Sequence, residues 1–111
     1  MATLAVSTVS RTGVDIAGVA AGAGGDEFAN DGYTFFKVTN GSGGSINVTV
    51  DCVATVDGLA VTDRVVAVAA GASKMIGPFS PSQYNNGNGR VAVTYSAVTT
   101  VTVIALKCPP A

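Results

Sequence analysis

Histidine and tryptophan are absent from this chain, and charge is scarce, with six Lys or Arg and seven Asp or Glu in 111 residues. Without histidine, a Ser or Thr nucleophile would need a carboxylate or a lysine to activate it, and no catalytic motif surrounds either. The sequence is read as non-enzymatic. Two cysteines, Cys52 and Cys108, fall short of the ligand set of a zinc site, and no cofactor or metal is expected. The cations Arg11, Lys37, Arg64, Lys74, Arg90 and Lys107 are scattered, which leaves no nucleic-acid footprint. No apolar run approaches the roughly 18 residues of a membrane helix. The first residues lack a basic segment followed by an apolar one, so use without signal-peptide export is expected. In that setting Cys52 and Cys108 are expected to be reduced thiols rather than a disulfide.

What the chain does have is small and branched. It carries 18 Val and 17 Ala against 3 Leu, with mean hydropathy +0.46 and a net charge of −1. β-Branched side chains are stiff at χ1 and pack well on a pleated surface. This balance, in one domain-sized chain, predicts an all-β fold: a single compact β-sandwich or small barrel of about seven to eight mostly antiparallel strands. So little charge also points to a surface partly covered by partners.

Alternation places the strands. Residues 1–13 read as a first strand or an extended arm, and 14–111 as the β-domain. Val14, Ile16 and Val19 could form a strand, and the glycines at 18, 22, 24 and 25 then force a flexible loop. Asp26 to Gly32 reads as a turn. In YTFFKVTN (33–40), Thr34, Phe36 and Val38 share one face. In SINVTVDC (45–52), Ile46, Val48, Val50 and Cys52 point inward, and Gly41–Gly44 is expected to join these two strands as a hairpin. A turn is expected at Asp57-Gly58, then strands at 63–71 and 73–79, the second ended by Pro78. Residues 80–89 read as the longest polar loop. Val91, Val93 and Tyr95 share a face of the next strand, a hairpin turn is expected at Ala97–Thr99, and 98–107 is the last strand.

Three stretches could carry chemistry or contact. Asp26, Glu27, Asn30 and Asp31 could offer oxygen ligands to calcium, but EF-hand spacing is missing and a solvated turn is the expected reading. The glycines at 18–25 run into Asp26-Glu27, which would repel a phosphate. Tyr84, Asn85, Asn86 and Asn88 form the candidate contact surface, since Tyr and Asn suit adaptable recognition.

The strings DEFANDGYTFFKVTN, INVTVD, IGPFSPSQYNNGNGRVAVTYS and TVTVIAL, in that order, resemble small virion proteins of tailed bacteriophages, of the head decoration or cement type. The resemblance spans roughly residues 12 to 106. It rests best on Asp31-Gly32-Thr34-Phe35, Ile76-Gly77-Pro78-Phe79 and Val93-Thr94-Tyr95-Ser96. It implies a structural protein made in the host cytoplasm and bound to the capsid exterior. Its partner would be the major capsid protein, and its own copies would form a homo-oligomer, a trimer for preference. Alternatives are a host- or carbohydrate-binding β-sandwich module and a tail-associated structural protein.

Overall fold

The computed structural model describes residues 2–13 and 17–107. The chain is mostly β. In order the strands are β1 (Ala2–Leu4), β2 (Val6–Thr8), β3 (Val19–Ala20), β4 (Asp26–Ala29), β5 (Thr34–Asn40) and β6 (Ile46–Val50). They continue with β7 (Thr55–Val56), β8 (Leu59–Ala60), β9 (Arg64–Val68), β10 (Ser73–Ile76), β11 (Arg90–Tyr95) and β12 (Val101–Lys107). A single helical turn, α1 (Pro81–Tyr84), precedes β11.

The first sheet has the order β1-β4-β11-β6-β9. The second runs β10-β5-β12, with β2 and β3 both paired to the far edge of β12. A separate hairpin joins β7 to β8. The two large sheets are open and mixed, because β1 pairs parallel to β4 and β2 parallel to β12.

The described residues therefore hold twelve strands in three sheets, where the sequence predicts one sandwich or barrel of seven to eight. The extra strands are two or three residues long, too short to show an alternation. Neither large sheet closes on itself.

Burial follows the alternation where the strands are long. Phe36, Val38 and Thr34 are buried along β5; Ile46, Val48 and Val50 along β6; Val91 and Val93 along β11; Val101, Val103 and Ala105 along β12. These inward rows join one core. Phe28 of the first sheet stacks on Phe36 of the second, with ring centroids 5.3 Å apart. Offset aromatic contacts of this kind add to plain area burial.

Three local expectations fail. Residues 26–29 form a strand rather than part of a turn, with Asp26 and Phe28 facing the core; the reversal begins only at Asn30, and Gly32 has φ of +96°. Residues 41–44 do not close a hairpin, because β5 lies in the second sheet and β6 in the first. The Asn40 amide organises this crossing. Its Nδ2 donates to the carbonyls of Gly44 (2.8 Å) and Val68 (3.1 Å), while its Oδ1 accepts from the Ser42 amide (3.0 Å) and hydroxyl (2.6 Å). The third is Ala97–Thr99, which leads from β11 in the first sheet to β12 in the second rather than into an adjacent strand. Thr100 turns the chain there with φ of +55°.

The Asp57-Gly58 turn does form, and it closes the β7–β8 hairpin. Both residues have positive φ, +55° and +76°, the requirement of a two-residue type I′ turn. The expected strand residues Val14 and Ile16 lie outside the described residues.

Candidate interaction surface

Residues 80–89 are ordered by their own side chains. Tyr84 is half-buried, with its ring edge-on to Phe79 at 5.5 Å. Asn85 and Asn30 hold each other. Asn30 Nδ2 donates to Asn85 Oδ1 (2.7 Å), and Asn85 Nδ2 donates to the Asn30 carbonyl (2.9 Å). Asn30 is buried and also donates to the Phe79 carbonyl at 3.0 Å. Asn86 accepts from the backbone N–H groups of Asn88 (2.9 Å) and Arg90 (3.2 Å). Of the four sequence-selected residues, Asn88 alone is exposed, while Tyr84, Asn85 and Asn86 are half-buried and bound into the fold.

The acidic cluster is dispersed by the pleat of β4. Asp26 points into the core, where its Oδ2 accepts from the Tyr95 hydroxyl (2.7 Å) and the Gly22 amide (3.0 Å). Burial, and then the bond to Asp26, pushes the Tyr95 phenol far above its ordinary pKa. Glu27 points the other way and pairs with Arg90 at 3.0 Å. Asp31 pairs with Lys107. That bond, with one from the Tyr33 amide, holds the Asp31 carboxyl below its ordinary value. These side chains do not converge on one point. Among the described residues, no three Asp, Glu, Cys or His side chains are grouped so as to hold a metal ion.

A cavity of about 420 Å³ lies beside α1 and the β7–β8 hairpin. Cys52, Val56, Asp63, Arg64, Gln83 and Tyr84 are among its walls. Cys52 is half-buried just past the end of β6, and its amide donates to Asp63 Oδ1 at 2.9 Å. Cys108, the other half of the considered disulfide, lies outside the described residues. Two walls have a legible origin: Tyr84 belongs to the predicted contact loop, and the hairpin follows from Asp57-Gly58. Gln83, Asp63 and Arg64 carry no sequence signal, because α1 and the hairpin meet only through tertiary folding. A backbone bond from Val53 N–H to the Gln83 carbonyl (2.8 Å) ties α1 to the segment that leads into the hairpin.

A second cavity of about 310 Å³ is walled by residues that include Val6, Asn30, Asp31, Thr34 and Lys107. A third of about 160 Å³ holds Asp51 and Asp63. Burial, and then the adjacent Asp63 charge, raises the Asp51 carboxyl above its ordinary value.

No helix among the described residues is long and apolar enough to cross a membrane. Comparison with family models, curated proteins and solved structures finds no match.

Proposed function

We propose that this chain is a structural virion protein. It would bind the outside of a bacteriophage capsid through the major capsid protein, as a decoration or cement protein, and act by contact rather than by catalysis. The observation that carries this reading is the strand connectivity. In chain order, β2 and β3, then β4, β5, β6, β9, β10, β11 and β12 fall in the second, first, second, first, first, second, first and second sheets. Only β6 and β9 are successive long strands that pair, and the β7–β8 hairpin sits between them.

We read that order as a jelly roll, two sheets linked by crossings, an architecture that recurs in viral capsid and lectin domains. Fold analogy alone assigns no function. The second support is what the resembling residues do. Asp31, Phe79, Tyr95 and Asn85 are engaged in folding contacts, as suits a family defined by a scaffold. The proposed partner stoichiometry is a trimer on the shell.

Capsid binding is tested by mixing purified protein with expanded shells and with unassembled capsid protein. Sedimentation with shells alone supports the reading. Equal binding to both, or to neither, overturns it. Localisation of the chain to tails in fractionated virions would favour the tail-associated alternative.

The cavity beside Tyr84 favours one further reading, a host- or carbohydrate-binding module. It sets a tyrosine among Asp63, Arg64 and Gln83, the mix of ring and polar groups that a small polar ligand needs. A glycan array with bound sugars, and loss of binding in Tyr84→Ala, would favour that role.

A further inference from the structure

The strand β9 ends the first sheet, and one of its long edges has no strand beside it among the described residues. The register shows which backbone groups face that edge. The Asn47 carbonyl accepts from Ser96 and the Asp51 amide donates to Ala92, so the odd-numbered residues of β6 bond toward β11. Ile46, Val48 and Val50 therefore bond toward β9, to Val68, Val66 and Arg64 opposite them. The N–H and C=O groups of Val65 and Ala67 then point away from the sheet. Both side chains are exposed.

Natural sheets blunt such an edge with charged side chains, proline, a bulge or a cover. Residues Arg64–Val68 contain no proline, and their one charge, Arg64, stands at the first position of the strand.

We infer that β9 is the contact between two copies of this chain, which pair antiparallel across a two-fold axis at Val66. In that register Val65 stands opposite Ala67 of the second copy, and Ala67 opposite its Val65. Each pair exchanges both of its free backbone bonds, and the first sheet continues across the axis. Arg64 faces Val68 of the second copy and Asp63 faces its Ala69, so no like charges oppose. A two-fold contact must be self-complementary, and this five-residue sequence is.

A stable interface takes about 800 Å² from each partner, more than a ladder of this length supplies. The exposed apolar side chains of the β7–β8 hairpin would add to it. It leads into the start of β9 and exposes Val56 at 67% and Leu59 at 71%. Antiparallel pairing brings the end of the second copy's β9, the exposed small residues Ala69, Ala70 and Gly71, to the same end of the ladder. The inference does not depend on the virion reading.

Light scattering on eluting protein and sedimentation over a dilution series test it. A dimer that dissociates on dilution is expected, with the Val65 and Ala67 amides slow to exchange hydrogen at high concentration and fast at low. Ala67→Pro removes an N–H that the β6 ladder does not use, and Val65→Lys places a charge on the contact. Either should shift the dimer to monomer while circular dichroism stays that of the parent. Val56→Ser with Leu59→Ser should weaken the dimer at least tenfold. A monomer at every soluble concentration, a trimer alone, or a dimer that survives Val65→Lys with freely exchanging Val65 and Ala67 amides would overturn the inference.

Discussion

Asn40 shows how a single side chain can decide a route through the fold. It is fully buried, and its amide satisfies carbonyls and donors on both sides of the 41–44 crossing. Asn40→Ala would remove these buried bonds together, each worth about 0.5–1.5 kcal/mol net, and is expected to lower stability by about 3 kcal/mol in urea unfolding. Asp51 acts in the opposite sense. Its folded carboxyl takes up a proton more readily than an unfolded one because it is partly desolvated and faces Asp63. The stabilisation from its protonated form is complete below the ordinary carboxylate pKa and is lost as pH rises through the raised value. Asp51→Asn fixes a neutral group there. It should raise the melting temperature at pH 7 and leave it unchanged near pH 3; an equal gain at both would refute the repulsion. For Asp31 the sign reverses. The exposed pair with Lys107 favours the folded state above the ordinary carboxylate pKa and is lost as pH falls through the lowered folded value. High salt should erase the contribution.

At the scale of elements, two of the crossings between sheets, those at 41–44 and 97–100, lie against each other. Gly41 N–H donates to the Thr100 carbonyl at 3.0 Å, and a Cβ on Gly41 would stand 2.9 Å from that oxygen. Gly41→Ala must push one crossing off the other, and a loss of about 1–3 kcal/mol is expected. Gly43 in the same connection has open space around its Cα, so Gly43→Ala should change stability by less than about 0.5 kcal/mol. Similar losses for both would show that loop flexibility, not contact, sets the cost. This pair also marks the limit of what the sequence reveals. The alternation of β5, β6, β11 and β12 states which side chains face inward, and they do. It does not state which sheet a strand joins, so both crossings look like hairpins. Asp26 misleads for a related reason. An acidic residue beside Glu27 looks solvated, yet its hydroxyl partner, Tyr95, comes from a strand 69 positions away. The polar loop at 80–89 is legible as a loop, but its bonds to Asn30 and Glu27 depend on β4 and β11 lying side by side.

For the molecule as a whole, nearly every ladder joins segments distant in sequence. β4 pairs with β11, and β5 with β12. Folds dominated by such pairings pass their barrier slowly, and stopped-flow refolding is expected on the millisecond-to-second scale; microsecond folding would contradict the topology. The earliest strands carry a further consequence. One residue, Ala5, separates β1 on the edge of the first sheet from β2 on the edge of the second. The partner of β2 is the stretch Ala105–Lys107. During synthesis, then, Val6–Thr8 leave the ribosome well ahead of Ala105–Lys107, the residues they must meet. The second sheet can be completed only after translation has passed Lys107 and that stretch has cleared the exit tunnel.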